Sequence, residues 1–120
     1  MKSIKELYRI GTGPSSSHTM GPRKAAEMFV ERHPDAASFK VTLYGSLAAT
    51  GKGHMTDVAI IDTLKTTAPV EIIWQPKVFL PFHPNGMTFA AFDANNKIQE
   101  NWTVYSIGGG ALAENNSNPV

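Results

Sequence analysis

The chain has 120 residues, 42% of them apolar, a formal net charge of +1 and no cysteine. That length suits one small domain with one core. The near-zero charge excludes a basic nucleic-acid face and an acidic tail, and the missing thiols exclude disulfides and thiolate metal ligands, in keeping with a cytoplasmic protein.

Along the chain, Ser3-Ile4-Lys5-Glu6 has the form of a helix capping box. Ile4, Leu7 and Tyr8 then share one face of a short helix ending near Gly11. "GTGPSSSHTMGP" (residues 11–22) reads as a loop, with Pro22 in the first turn of the next helix, where its missing N–H needs no partner. Ala25, Ala26, Phe29 and Val30 form the buried stripe of that helix, and His33-Pro34 ends it. The alternation of Phe39 to Tyr44 predicts a strand. Gly45 to Gly53 reads as a second glycine-rich connection holding one helical turn. Thr56 and Asp57 cap a helix through Leu64 that turns Ala59, Ile60, Thr63 and Leu64 inward. "VEIIW" (residues 70–74) is a strand, and Pro76, Pro81 and Pro84 break the stretch after it into extended pieces. Residues 87–107 read as two strands around an Asp-Ala-Asn-Asn turn. With no internal repeat and no linker, this order predicts a single α+β domain over residues 1–120, a mainly antiparallel sheet with helices on one face. No apolar run approaches the ~18–20 residues that a bilayer requires, and "MKSIKELYRI" lacks the apolar centre of a secretory leader.

Two loops could carry chemistry. The first sets Ser15, Ser16, Ser17, His18 and Thr19 before a helix start, with Arg23 and Lys24 nearby. Hydroxyls beside the free N–H groups of a helix N-terminus suit a carboxylate or phosphate. The same residues also serve as helix caps and side-chain turns, and composition alone leaves both readings open. The second, "TGKGHMTD" (residues 50–57), repeats the plan with two glycines, Lys52 and His54. Its glycine spacing is too short for a phosphate-binding P-loop, and taken alone the loop reads first as a glycine-tolerant turn with a surface Lys and His. "HPNG" (residues 83–86) reads as a proline turn entering a strand, and His33 as a cation at a helix end. Four histidines without cysteine or a His-x₃-His pair make a poor metal site, so no metal ligands are assigned.

Together the blocks "GPSSSHTMGPRKAA", "LYGSLAATGKGHMTD", "HPNGM" and "YSIGGG" resemble, in this order, the β domain of iron–sulfur-dependent L-serine dehydratases, most closely the single-chain form in which β and α domains are fused. The resemblance implies a lyase reaction in which L-serine loses water and the aminoacrylate product hydrolyses to pyruvate and ammonia. It implies a [4Fe-4S] cluster held by the α domain and not by this chain. The implied partners are that α domain, fused or separate, and L-serine, with no nucleic acid and no membrane, and with room for a homodimer. By the same analogy His54 is the first candidate for the general base and His18 the second, with a role in orienting substrate. Ser15, Ser16, Ser17, Thr19, Lys52 and Gly53 line the substrate pocket. Asp57 caps its helix or orients an imidazole. His54 and His18 are expected to face one cleft, their imidazoles within roughly 10 Å. The family's β domain also resembles a small-ligand (allosteric substrate) binding domain of some serine-pathway dehydrogenases, which leaves a non-catalytic serine- or anion-sensing domain as the alternative function. Against the family pattern, the segment between Leu64 and His83 is short, and the chain stops soon after Gly110, so that it reads as an excised domain.

Overall fold

A computed structural model describes residues 16–51, 56–108 and 110–114. In chain order the elements are α1 (Ser16–Arg32), β1 (Ser38–Tyr44), α2 (Gly45–Gly51), α3 (Thr56–Leu64), β2 (Val70–Gln75), β3 (Gly86–Phe92), β4 (Ile98–Gly108) and β5 (Ala111–Ala113). The strands form one open sheet in the order β2-β1-β3-β4-β5. β1 and β2 are parallel and every other neighbouring pair is antiparallel. A parallel return needs a crossover, and α2 and α3 supply it. The α+β class expected from the order of elements is the one observed.

Period-two alternation makes the sheet two-sided. On one side Phe39, Val41 and Leu43 of β1 are buried, and the register sets Val41 between Ile72 of β2 and Phe89 of β3, with Trp102 of β4 opposite Phe89. The three helices among the described residues pack into the same core, through Ala25, Ala26 and Phe29 of α1, Leu47 of α2, and Ile60 and Leu64 of α3. Phe29 is its aromatic centre, with ring centroids 5.5 Å from Phe89, 6.0 Å from Phe39 and 6.2 Å from Trp102. On the other side Tyr44 Oη donates to Thr88 Oγ1 at 3.2 Å, and the Thr88 and Thr103 hydroxyls share a hydrogen bond of 2.9 Å across β3 and β4. The β3–β4 turn is held by Asp93, whose Oδ1 accepts the backbone N–H groups of Asn95 and Lys97 at 2.9 Å each, while Asn96 takes the left-handed φ of 63°.

Four expectations change. The helix expected to begin at Pro22 begins at Ser16, so the hydroxyl-rich stretch forms its first turn and Pro22 lies inside it. A proline there removes one rung and crowds the carbonyl of His18, at a cost of about 3 kcal/mol. Packing offsets it: Gly21 and Pro22 are both buried, and a Cβ on Gly21 would overlap the Ser106 hydroxyl of β4. The connection after β1 is two turns of helix rather than one, because Gly45 turns the chain at φ +49°, and a side chain there would strike the Phe79 ring and the Pro84 carbonyl. A fifth strand, Ala111–Ala113, pairs with β4 although alanine has little intrinsic β preference, so the pairing and not the residues specifies it. Residues 76–85, expected as extended, edge-like pieces, instead form turns and bends with no strand. The capping box at Ser3 lies outside the described residues.

Candidate active site

The sheet has two distinguishable ends, and chain direction fixes what lies at each. β1 ends at Tyr44, where α2 departs, and β3 begins and β4 ends beside it. α1 and α3 both run away from this end. The last turn of α1 is tied to the far end, where Arg32 and His33 meet Glu100 at the start of β4. The chain leaving α3 reaches the far end too, since Pro69 O accepts the Phe39 N–H at 2.8 Å. α1 and α3 pack side by side. Both N-termini, with N–H groups that have no partner within the helix and with partial positive charge, therefore lie at the end where β1 stops.

The four sequence blocks meet there. Gly21 of the serine–histidine block packs on Ser106 of "YSIGGG". Gly45 and Ser46, from the second block, adjoin "HPNGM": the Ser46 N–H donates to Pro84 O at 3.1 Å. Ser106 N–H in turn donates to Asn85 O at 3.0 Å. The Asn85 N–H donates to His83 Nδ1 at 3.1 Å. That bond makes Nδ1 the acceptor and leaves the proton of the neutral ring on Nε2. Phe82 packs obliquely on Tyr105, their ring centroids 4.8 Å apart. A groove of about 390 Å³ opens beside α1, lined by Met20, Arg23, Lys24, Glu27 and Gly110. A second cavity, of about 420 Å³, lies at the far end between Ser38, Lys40, Glu71, Phe92 and Asn96, away from all four blocks.

Of the residues singled out from the sequence, Ser16, Ser17, His18 and Thr19 occupy the first turn of α1, and Thr19 is partly buried. Asp57 is the second residue of α3, where a carboxylate complements the helix dipole, and the neighbouring Thr56 is buried. Ser15, Lys52, Gly53 and His54 lie outside the described residues, as does the separation of His54 from His18. The chain to either side of Lys52–Met55 is helical, at Gly51 and Thr56. Residue chemistry reads "HPNG", the third polar group, as a turn and Ser106 as a strand position, and does not foresee that His83, Asn85 and Ser106 are hydrogen-bonded together at this end. Their signal was their presence in the four motif blocks.

The far end is built differently. Arg32 Nε and Nη2 donate to Glu100 Oε1 and Oε2 at 3.2 Å each, and His33 Nε2 meets Oε1 at 2.5 Å. The guanidinium lies 4.5 Å from the Trp102 ring centroid, and Trp102 Nε1–H donates to Glu114 Oε2 at 2.6 Å. Partial burial alone would push the Glu100 carboxyl up, but the hydrogen bonds and charges of Arg32 and His33 outweigh it and hold the group below its ordinary value. His33, read from sequence as a helix-end cation without further role, is part of this structural clamp.

These features define an α+β domain with one helical layer and a loop-built site at the end of the sheet where two helices begin. Comparison with known proteins identifies the family. The serine dehydratase beta chain family matches residues 3–75 and 62–117. The chain is 34% identical to an L-serine dehydratase of Streptomyces coelicolor over 152 aligned positions, covering 93% of this chain and 33% of that protein. It is 33% identical to one of Haemophilus influenzae over 95% of this chain and 34% of the relative. To L-serine dehydratase TdcG of Escherichia coli it is 34% identical, with the same coverages. The chain belongs to the serine dehydratase beta chain family, and it spans about a third of the length of the curated relatives it matches. The alignment to the Streptomyces protein is 152 positions long, while 93% of 120 residues is about 112, so about 40 positions of the relative face a gap. The two matched stretches overlap at residues 62–75, beside the segment expected to be short.

Proposed function

We propose that this chain supplies the substrate-binding half of an iron–sulfur-dependent L-serine dehydratase, acting with a cysteine-bearing α domain in the cytoplasm. The observation that carries the reading is the meeting of four polar, glycine-rich blocks at one sheet end beneath two helix N-termini. The [4Fe-4S] cluster of that family does not fit the donor set here. Such clusters rest on thiolates, the sequence contains no cysteine, and among the described residues no group of three His, Asp or Glu side chains could hold a metal. The cluster belongs to the α domain.

The residues of this chain have a coherent role. The serine carboxylate is held by the hydroxyls of Ser15, Ser16, Ser17 and Thr19 and by the N–H groups at the start of α1, with Lys52 neutralising its charge and Gly53 allowing close backbone approach. Neutral His54 takes the α-proton as the Cβ–O bond breaks, the proton it has gained is passed on to the departing hydroxide so that water and aminoacrylate result, and the aminoacrylate takes up water to give pyruvate and ammonia. His18 orients the substrate and Asp57 orients an imidazole or caps α3. The experiment is pyruvate release from L-serine by this chain together with a cluster-loaded α domain, the chain alone serving as control. Release by the pair and none by the chain alone is the expected result. Turnover by the chain alone, or a pair that binds L-serine tightly without turning it over, overturns it, the latter in favour of a serine-sensing domain.

A further inference from the structure

α1 lies antiparallel along β4, and two contacts mark its course: Phe29 stacks on Trp102 with ring centroids 6.2 Å apart, and Gly21 meets Ser106. The spacing agrees, since the helix from Gly21 to Phe29 rises about 12 Å and the strand from Trp102 to Ser106 about 13 Å. Trp102, Val104 and Ser106 share one face of β4 by parity, and all three are buried. The contacting side chains shrink along this line, from two large rings at the far end to a bare glycine against a serine at the site end. The two backbones therefore come close beneath the candidate site. A Cβ on Gly21 would overlap the Ser106 hydroxyl and stand 2.8 Å from Ser106 Cβ and 3.5 Å from its Cα. The hydroxyl could turn aside, but the Ser106 Cβ could not. The contact also falls where α1 is weakest. Pro22 gives no N–H to the His18 carbonyl, so the helical ladder ties the first turn less firmly to the rest of α1. A Gly-Pro pair inside a helix is unfavourable on local grounds, and close approach to β4 is what the glycine provides.

We propose that Ser106 is a positioning residue for the dehydration: by receiving Gly21 at this distance it fixes where the first turn of α1 stands, and hence where the substrate carboxylate is held. The proposal rests on the reading that this turn binds the carboxylate. Ser106 is suited to the role in two ways. Its side chain is small, as the approach of Gly21 requires. Its backbone N–H donates to Asn85 O at 3.0 Å, so the end of β4 that meets α1 is anchored to the loop of His83. One residue thus ties the first motif block to the third. The carboxylate carries the same charge in the ground state and in the transition state. Displacing the turn that holds it weakens both alike, so KM rises while kcat stays. A residue whose role was only to stabilise the fold would lower the denaturant midpoint and leave KM where it was.

The test moves one carbon across the contact. Each variant of the full 120-residue chain is paired with the cluster-loaded α domain, and kcat and KM for L-serine are measured. Gly21→Ala creates the overlap, and Ser106→Gly leaves the space empty. Each is expected to raise KM about 10-fold with kcat within about threefold of the unaltered pair. In the double variant Gly21→Ala/Ser106→Gly the new methyl group takes the place of the lost side chain, with the Cα of residue 106 at 3.5 Å. Its KM is expected to fall below that of either single variant. If circular dichroism shows that Gly21→Ala does not fold, the comparison of Ser106→Gly with the double variant decides in the same way. A folded single variant with unchanged KM, or a double variant whose KM is no lower than that of Ser106→Gly, overturns the positioning role alone. An unaltered pair that does not act on L-serine overturns the substrate reading, and this proposal with it.

Discussion

The two ends of the sheet differ in what they are made of. At the end where β1 stops, small and polar residues meet through backbone hydrogen bonds and close contacts: Gly21 on Ser106, Ser46 on Pro84, Ser106 on Asn85. At the far end large side chains interlock, with Arg32 held between the Glu100 carboxylate and the Trp102 ring and His33 on the same carboxylate. The clamp end satisfies its charges internally and is built for stability. The loop end is built from small residues and backbone hydrogen bonds beneath two helix N-termini, whose partial positive charge favours an anion. The division suits a small domain, because close backbone approach at a binding site sacrifices the side-chain packing that would otherwise stabilise that region.

Three experiments probe this division. The largest effect is expected at the loop end: His54→Ala in the complex with the α domain should lower kcat by about 10²–10⁴-fold, while the denaturant midpoint of this chain stays unchanged. His18→Ala should raise KM more than it lowers kcat. A His54→Ala enzyme keeping more than about a tenth of its kcat would move the base to His18 or to the α domain. In the core beside the clamp the expectation reverses. Phe29→Ala removes the ring that touches Phe39, Phe89 and Trp102 and should cost about 3–5 kcal/mol, read as a lowered urea midpoint. A midpoint shift below about 1 kcal/mol would mean that the aromatic cluster is not the stability centre.

The smallest effect concerns pH. Glu100 is held below the ordinary carboxylate value in the folded chain, so its contribution is present at neutral pH, above the unfolded value, and is lost as pH falls through the folded value. Because Arg32 and Glu100 are each about a third exposed, the loss should stay below about 1 kcal/mol. Melting temperature followed from pH 7 down through the carboxylate range, about pH 4 and below, should fall less steeply for Glu100→Gln than for the unaltered chain. Parallel curves would remove Glu100 from the clamp.

The strands and helices with strong periodicity are legible in the sequence, and their boundaries move little. Phe39 to Tyr44 alternates and is a strand, and Ala59, Ile60 and Leu64 recur at helical spacing and are buried. Pro22 misleads because local rules set proline at a helix start, whereas here packing of Gly21 and Pro22 against the sheet sustains a helix across it. Residue chemistry marks the serine–histidine and GKGH loops as polar and glycine-rich but leaves binding and capping open for the first and favours a plain turn for the second. Nothing local distinguishes a hydroxyl that caps a helix from one that also faces a ligand.

What the sequence determined by itself was therefore the strongly periodic elements, the inward residues of α1 and α3 and, through four motif blocks taken together, the family. Those depend on periodicity and residue identity, which are properties of the linear chain. Tertiary structure alone decided that blocks from residues 16 to 110 share one end of the sheet, that Glu100 faces Arg32 and His33 across 68 and 67 positions, and that three alanine-rich residues complete the sheet as β5. Each of these rests on strand order and register, which long-range packing selects and no local stretch encodes.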